Sequence, residues 1–261
     1  MRFLAVIGVL VCVVALAQGF KLFGITTPEK MPKDSRIIQG WPAANDQFPH
    51  QGYLFITFDN GYAACGASII SNRWAITAAH CLQGAREAEI RLGSADNNQS
   101  PVRMTSNNIH IHWDVDVALL GLPYDAPISN TLRPINFARD PGQTYEGYTV
   151  TASGYGLTSD GGSTSSTLNF VNLRAISNNE CAGYYGGIIV PSIICTRGLD
   201  NPAQGVCSGD SGGPLVIGGG TDMLLIGVTS FVSSAGCASD GPSGFARPNH
   251  VVDWINQVTG L

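Results

Sequence analysis

The chain has 261 residues, of which 44% are hydrophobic and 13% are charged, and its formal net charge is −5. Residues 37–261 alone carry nine arginines, no lysine and seventeen acidic side chains, a net charge of about −8. This acidic balance excludes nucleic acid and anionic membranes as expected partners, because both attract basic surfaces.

Residues 1–17 have the pattern of a secretory signal peptide. Arg2 precedes a continuous apolar run from Phe3 to Ala17, and the run closes with Ala-Leu-Ala, which is typical of a signal cleavage site. The run is too short for a membrane anchor. We therefore expect a secreted, extracellular protein.

Residues 18–36 form a short leader between the signal and the main domain, which covers residues 37–261. The leader combines two prolines with four basic residues, and this composition favours an exposed strap over a packed element. The basic residues are Lys21, Lys30, Lys33 and Arg36.

Short apolar runs separated by turns recur through residues 37–261, and this spacing predicts an all-β protein. The runs cover residues 52–58, 74–78, 115–120, 148–152 and 224–230. Only the tail, residues 251–255, is predicted to form an amphipathic helix. Composition does not decide between one β-barrel and two.

His80 has the surroundings of a catalytic base. It lies in Thr-Ala-Ala-His-Cys at residues 77–81, directly after an apolar stretch and beside a cysteine that can anchor it. A histidine in such a position can take the proton of an alcohol nucleophile.

Two aspartates are candidates for orienting that base. Asp116 opens an apolar run, residues 116–120, that predicts a core strand and a buried carboxylate. Asp114 would share a face of the strand, but it lies farther from the apolar run. Asp116 is therefore preferred, with Asp114 as its rival.

The most informative motif is Gly-Asp-Ser-Gly-Gly-Pro at residues 209–214. It places Ser211 in a glycine-lined turn, where the N–H groups of Gly209 and Ser211 can point at an oxygen that becomes negative during acyl transfer. An ordinary polar turn is the alternative interpretation. The candidate base and acid elsewhere in the chain favour a nucleophile.

Cysteine usage indicates an oxidising compartment. Cys12 belongs to the signal, and the remaining cysteines can pair in several ways. They are Cys65, Cys81, Cys181, Cys195, Cys207 and Cys237. Zinc binding is the alternative, but no pair has the close spacing of a zinc knuckle.

His80, Asp116 and Ser211, in this order and with these local sequences, resemble the chymotrypsin-like family of secreted serine endopeptidases. The resemblance covers nearly all of residues 37–261. Further matches are Arg-Ile-Ile-Gln-Gly at 36–40, Ser-Gly-Tyr-Gly at 153–156 and Ser-Phe-Val at 230–232.

The resemblance implies two six-stranded antiparallel β-barrels packed together with a C-terminal α-helix, and the catalytic groups in the cleft between the barrels. It implies the disulfides Cys65–Cys81, Cys181–Cys195 and Cys207–Cys237. It also makes His80, Asp116 and Ser211 catalytic, with Gly209 and Ser211 forming the oxyanion hole and Ser230 bonded to Asp116. No cofactor and no metal are expected.

The resemblance further implies a latent precursor, with residues 18–36 as its activation propeptide. A trypsin-like protease would cut after Arg36, and the new amine of Ile37 would pair with Asp210. Other expected partners are protein or peptide substrates and protein protease inhibitors. We expect a monomer.

Substrate preference is carried over from the family at Gly205, Ser208, Ser230, Val232 and Ser243. Gly205 offers no charge at the base of the specificity pocket, so a trypsin-like preference is not expected. Val232 and Ser243 stand where chymotrypsin-like members usually have glycine, and they would shorten the pocket. We expect an elastase-like preference for small or medium aliphatic residues, with a chymotrypsin-like preference for aromatic residues or Leu as the alternative.

The absence of lysine from residues 37–261 suggests an alkaline working environment. Lysine loses its charge near pH ~10.4, whereas arginine stays cationic beyond pH ~12. Compositional drift is the alternative. Gly-Val-Thr-Ser-Phe at 227–231 and the three-bridge pattern also resemble insect digestive members of the family, so we expect a digestive-tract enzyme.

Weaker signals favour ordinary structural roles. His110 and His112 are predicted on a surface strand, because no third metal ligand is evident nearby. Asn98 begins a glycosylation pattern, and Glu87 and Glu89 are expected in a solvated loop rather than a calcium site. The competing function is a non-catalytic homologue that acts as a binding protein, but such a protein would be expected to lack a catalytic residue.

Overall fold

The computed structural model describes residues 37–261, and the predicted signal peptide and leader lie outside them. The described part is mostly β-strand. The strands are β1 (Trp41–Pro42), β2 (Gln51–Phe58), β3 (Gly61–Ile69), β4 (Trp74–Thr77), β5 (Glu87–Leu92), β6 (Val102–Ser106), β7 (Ile109–Ile111), β8 (Ala118–Gly121), β9 (Asn136–Phe137), β10 (Thr149–Gly154), β11 (Asn169–Ile176), β12 (Ile193–Gly198), β13 (Pro214–Ile217), β14 (Leu224–Phe231) and β15 (Ser243–Ala246). The helices are α1 (Ala79–Leu82), α2 (Asn178–Tyr185) and α3 (Val252–Thr259).

The first half of the domain is a seven-stranded antiparallel sheet with the order β6-β5-β2-β3-β4-β8-β7. Its longest pairing is the β2–β3 hairpin, which runs from Gln51 opposite Ser68 to Phe58 opposite Gly61. Successive side chains of a strand point to opposite faces. Leu54 and Ile56 are accordingly buried, and the residues between them are only half-buried.

The second half closes into a six-stranded barrel. The order is β11-β10-β13-β14-β15-β12, and an antiparallel pairing of β12 with β11 completes the ring. Strand β1 adds to the outside of β11, and β9 pairs in parallel with β14. The predicted all-β class with a C-terminal helix is confirmed.

One hydrophobic cluster joins the two halves. It runs from Leu54 and Leu119 of the first sheet to Val228 of β14 and Ile255 of α3. A second cluster fills the closed barrel, with Ile37, Val150, Leu215 and Phe245 among its members. Each fully buried side chain of this size contributes roughly 1.5–3 kcal/mol. This shared packing therefore fixes the two halves against each other.

Two local expectations were wrong. Strand β8 begins at Ala118 rather than at residue 115, because a turn precedes it in which the Val117 N–H donates to the Val115 carbonyl at 2.6 Å. Glu87 and Glu89 lie on β5 and not in a loop. The alternation of inward Ala88, Ile90 and Leu92 explains the strand, since these apolar side chains reach the core between the exposed positions.

Three disulfides link the described segments, in the pairing that the family resemblance implies: Cys65–Cys81, Cys181–Cys195 and Cys207–Cys237. The first ties β3 to α1, and the third ties the segment before Ser211 to the loop after β14. Among residues 37–261, no helix combines the length and the apolar character needed to cross a bilayer.

Candidate active site

His80 is held at the edge of the first sheet. It lies in α1, the single helical turn that follows β4, and its neighbour Cys81 is bonded to Cys65 of β3. The helix is too short to be stable alone. The disulfide and the buried Leu82 therefore fix the position of the imidazole.

Asp116 binds both the backbone and the ring of His80. Its Oδ1 accepts the His80 N–H at 2.9 Å, and its Oδ2 lies 2.8 Å from Nδ1 of the ring. The Ser230 hydroxyl donates to the same Oδ2 at 2.5 Å. Since an ionised carboxylate can only accept hydrogen bonds, the contact between Oδ2 of Asp116 and Nδ1 of His80 places the ring proton on Nδ1.

These contacts decide the ionisation of Asp116. Burial alone would raise the pKa of its carboxyl, but the hydrogen bonds from His80 and Ser230 outweigh burial and lower that pKa. Within residues 37–261, no hydrogen bond or ion pair joins the Asp114 side chain to His80, and the Asp114 N–H donates to Nδ1 of His112 at 3.2 Å. The structure thus brings Asp116, and not its rival, to the imidazole.

Ser211 lies in a turn that sits against the first sheet. Its carbonyl accepts the Gly66 N–H of β3 at 2.7 Å, and the Gly212 N–H donates to the Thr229 carbonyl at 2.8 Å. Gly209 has φ +94°, a left-handed conformation that favours glycine. Within residues 37–261, no hydrogen bond joins the Ser211 hydroxyl to the His80 ring.

Two N–H groups beside Ser211 are available to a ligand. Among the described residues, neither the Gly209 N–H nor the Ser211 N–H donates to a protein acceptor, although both residues are in a tight turn. Paired free donors of this kind can bind an oxygen that gains negative charge.

Asp210 lies beneath this turn and is fully buried. Its Oδ1 accepts the Gly156 N–H at 2.8 Å, and its Oδ2 accepts the Cys207 N–H at 2.9 Å. Burial raises the pKa of this carboxyl to about 7, although the two N–H groups act to lower it. No cationic side chain of residues 37–261 forms a salt bridge with it.

Ile37 is also fully buried, and it packs in the closed barrel. The next residue, Ile38, forms an isolated β-bridge with Gly205, where the Gly205 N–H donates to the Ile38 carbonyl at 3.4 Å. Ile37 has φ +50°, which is a genuine outlier for a β-branched residue. The backbone at Ile37 is therefore strained.

The base of the candidate specificity pocket carries no charged residue, since Gly205 and Ser243 are both uncharged. A Cβ on Gly205 would lie 3.2 Å from the Ser243 hydroxyl, so these two residues meet there. Val232 is partly buried and packs on the cluster that contains Val206 and Phe245. Sequence reasoning did not single out Val206 or Phe245, although Val206 directly follows Gly205 and could have been found from that position.

Ser208 and Ser230 lie on the two segments that border this pocket. Ser208 is exposed, and its carbonyl accepts the Leu157 N–H at 2.8 Å. Ser230 is on β14, directly before Phe231, whose ring covers Gly244 of β15. Among the predicted substrate-binding residues, Gly205 therefore lies against Ser243, and Ser230 lies against Asp116.

Other predicted features lie apart from the site. The His110 ring contacts Trp74, and the His112 ring contacts Trp254, so the two imidazoles have different neighbours. Two groups of side chains have metal-ligand spacing, but each contains cysteines that are oxidised to disulfides. Asn98 is exposed on a short turn.

Most of the chain is similar to known proteins. The family model described as Trypsin matches residues 37–255. The chain is 37% identical over 240 residues to a collagenase of Hypoderma lineatum, covering 88% of this chain and 89% of that protein. It is 34% identical to brachyurin of Leptuca pugilator, covering 86% and 99%. A solved structure of HL collagenase superposes with a TM-score of 0.79 at 36% identity, covering 86% and 99%.

Proposed function

This chain belongs to the trypsin family of serine proteases, and we propose that it cuts peptide bonds through His80, Asp116 and Ser211. The observation that carries the proposal is the contact of Asp116 with both the N–H and the ring of His80. That contact holds the ring proton on Nδ1 and leaves Nε2 unprotonated, so Nε2 can act as a base, as the Ser-His-Asp mechanism needs.

In the proposed reaction, the Ser211 oxygen attacks the scissile carbonyl while Nε2 of His80 takes the hydroxyl proton. The carbonyl oxygen becomes negative and accepts the free N–H groups of Gly209 and Ser211. His80 then gives its proton to the leaving amine, and an acyl-enzyme remains on Ser211. Water, activated by the same imidazole, releases the acid product.

Asp116 acts through the imidazole. It holds the ring proton on Nδ1, and its negative charge stabilises the imidazolium that forms during attack. The Ser230 hydroxyl restrains the same carboxylate oxygen. Because the pKa of Asp116 is lowered, the carboxylate stays ionised throughout the neutral and alkaline range.

The protein is made as a zymogen in this proposal. Residues 1–17 are the signal for secretion, residues 18–36 are the propeptide, and residues 37–261 are the protease domain. A trypsin-like protease cuts after Arg36, the strain at Ile37 is relieved, and the new ammonium group pairs with buried Asp210. The ammonium group supplies the positive partner that Asp210 lacks, since its two N–H donors alone leave the pKa of that carboxyl raised.

The neutral base of the pocket supports cleavage after small or medium aliphatic residues, as in elastase-like members. Gly205 supplies no carboxylate for lysine or arginine, and Val232 packs on the hydrophobic cluster of the closed barrel. Cleavage after aromatic residues or Leu is the alternative. If Val232 limits the pocket, Val232→Gly increases kcat/KM for peptides with Phe before the cut; an unchanged Phe-to-Val ratio contradicts this assignment.

The lack of lysine in residues 37–261 supports work in an alkaline digestive lumen, where arginines keep their charge. Protein substrates and protein inhibitors are the expected partners of the exposed His80 and Ser211 cleft. A rate profile that collapses above pH ~9 contradicts the alkaline assignment.

Labelling with a serine-directed fluorophosphonate tests the function. The chain cut after Arg36 should bind one equivalent, the uncut chain should react far more slowly, and Ser211→Ala should not react. Ser129→Ala is the control, because Ser129 is exposed and its hydroxyl bonds to Thr131 of its own turn. A cut protein that takes no label is a binding protein and not an enzyme.

A further inference from the structure

We propose that Asp160 is a positioning residue for the specificity pocket, although it contacts no catalytic group. Its carboxylate holds the outer side of the rim loop, residues 233–241, which follows Val232. The inference rests on the proposed function, because the position of the rim loop matters only if the candidate specificity pocket binds a substrate side chain.

Asp160 reaches the rim loop with both carboxylate oxygens. Oδ1 accepts the Cys237 N–H at 2.8 Å, and Oδ2 accepts the Ala238 N–H at 3.3 Å. Hydrogen bonds to an ionised acceptor are stronger than those between neutral groups. The donors lie 77 and 78 residues away in the chain, so the contact is tertiary.

The held peptide forms part of the pocket wall. The Ala238 N–H and the Cys237 carbonyl belong to one planar peptide unit, so fixing one end fixes the other. The Cys237 carbonyl oxygen lies 3.9 Å from the position that a Cβ on Gly205 would occupy. Asp160 therefore orients, from outside, a carbonyl that faces the base of the pocket.

The rim loop depends on outside support. Its own contacts are short-range, such as the Gly236 N–H to the Ser233 carbonyl at 3.2 Å and the Ser239 hydroxyl to the Gly236 carbonyl at 2.7 Å. Toward its end, Arg197 donates to the Asp240 carbonyl at 3.0 Å. The Cys207–Cys237 disulfide fixes a side chain, and Asp160 fixes the backbone beside it.

Gly236 makes the approach of Asp160 feasible. Its φ is +109°, and a Cβ there would lie 2.7 Å from Oδ2 of Asp160. Under 3.0 Å something must shift, so any side chain at 236 would push the carboxylate away from its two donors. Asp160 and Gly236 are therefore expected to act as a coupled pair.

The loop that carries Asp160 also contacts the turn before Ser211. The Leu157 N–H donates to the Ser208 carbonyl at 2.8 Å, and Cγ2 of Thr164 lies 3.2 Å from the Cβ position of Gly209. One loop thus braces the pocket rim with Asp160 and the oxyanion turn with its ends. Loss of the Asp160 side chain should loosen the rim and leave the turn in place.

The test compares Asp160→Ala and Asp160→Asn with wild type, all cut after Arg36 and all titrated with fluorophosphonate to count active sites. Peptides with Val or Phe before the cut are the substrates. Loss of two charge-assisted hydrogen bonds should raise KM for the Val peptide about tenfold and leave kcat within about twofold. The Val-to-Phe ratio of kcat/KM should shift at least about threefold, with Asp160→Asn in between.

Asp140→Asn is the matched control, because the Asp140 carboxylate accepts only the Gly142 N–H of its own turn. Asp140→Asn should leave both KM and kcat unchanged. Gly236→Ala should reproduce the shift in ratio, because the added Cβ displaces the Asp160 carboxylate and strains the rim loop at φ +109°.

An unchanged Val-to-Phe ratio in active-site-titrated Asp160→Ala overturns the inference, and so does an equal shift in the Asp140→Asn control. Wild type would still take the label in either case, so the proposed function would stand. A wild type that takes no label refutes both proposals together.

Discussion

Asp116 and Asp210 are both carboxylates of the candidate active site, but their surroundings differ in kind. Asp116 has a side chain that is 26% exposed, and it receives the His80 N–H, the His80 ring and the Ser230 hydroxyl. Asp210 is fully buried and receives two backbone N–H groups. Burial raises the pKa of both carboxyls, but the donors reverse this only at Asp116.

The difference separates a finished site, whose carboxylate already has all its partners, from an unfinished one, whose carboxylate lacks a positive partner. Asp116 already has the partners that keep it ionised, so the acid and base pair is preformed in the uncut chain. Asp210 has no salt-bridge partner among the side chains of residues 37–261, and burial raises its pKa to about 7. We infer that activation completes the Asp210 site and leaves the Asp116 site as it is.

The largest expected effect comes from removing the charge of the finished site. Asp116→Asn in the cut enzyme should lower kcat by about four orders of magnitude, because the amide no longer holds the ring proton on Nδ1. Active-site-titrated kinetics on a peptide substrate measure this loss. Asp114→Asn is the control and should change kcat less than about twofold, since Asp114 does not contact His80. Equal losses in the two variants would contradict the comparison.

The unfinished site predicts a pH dependence that cleavage removes. In the folded uncut chain the Asp210 pKa is about 7, above its ordinary value of 3.8, so the folded state holds a proton that the unfolded state releases. This stabilisation is present below pH ~4 and is lost as the pH rises to ~7 and beyond, by up to roughly 4 kcal/mol. Denaturation of cut and uncut Ser211→Ala protein at pH 5 and pH 8 measures it. Parallel pH curves for the two forms would contradict the account.

A buried base without a partner should behave in the opposite sense. His50 is buried, its Nε2 has no hydrogen-bond partner within residues 37–261, and burial lowers its pKa to about 3. Below pH ~6.5, His50 binds a proton in the unfolded state but not in the folded state. The free energy of unfolding is therefore at its full value above pH ~6.5 and falls as the pH drops toward 3. The loss at pH 5 is roughly 2 kcal/mol.

The variant His50→Phe tests this prediction by urea denaturation of the cut protein at pH 5 and pH 8. It should remove most of the acid-side loss, whereas His110→Gln should retain it, because the His110 ring is half-exposed and bonded to Asn108. A His50→Phe protein with the wild-type pH slope would show that another group causes the loss.

The smallest expected effect comes from removing one of the hydrogen bonds that Asp116 accepts. Ser230→Ala removes one donor to its carboxylate and should lower kcat/KM about tenfold, since a hydrogen bond to a charged group is worth roughly 1.5 kcal/mol. Ser230→Thr keeps the hydroxyl and should recover most of the activity. Equal losses in the two variants would assign the effect to packing of β14 instead.

Local patterns in the sequence predicted much of this molecule. The apolar runs predicted β2, β4, β10, β14 and α3, because the strand and helix periods are visible within a few residues. The Gly-Asp-Ser-Gly-Gly-Pro motif predicted the turn at Ser211, since glycines allow its backbone angles. The turn that shortens β8 escaped prediction, because it depends on contacts with other segments.

The contacts that combine the site are mostly long-range. Asp116 and Ser230 are 114 residues apart, and Asp160 and Cys237 are 77 apart. The first contact followed from the family resemblance, but nothing in the sequence around Asp160 indicates its partners. The closure of one barrel by β11 and β12 likewise depends on pairing across the chain and has no local signal.

The most direct test of the account follows the two carboxyl groups by ¹³C NMR in Ser211→Ala protein labelled at aspartate, before and after cleavage at Arg36. Asp116→Asn and Asp210→Asn variants assign the two signals. The account predicts that Asp210 titrates near pH 7 in the uncut protein and stays ionised well below that pH once cut, with Asp116 ionised in both forms. An Asp210 signal that titrates identically before and after cleavage would contradict it.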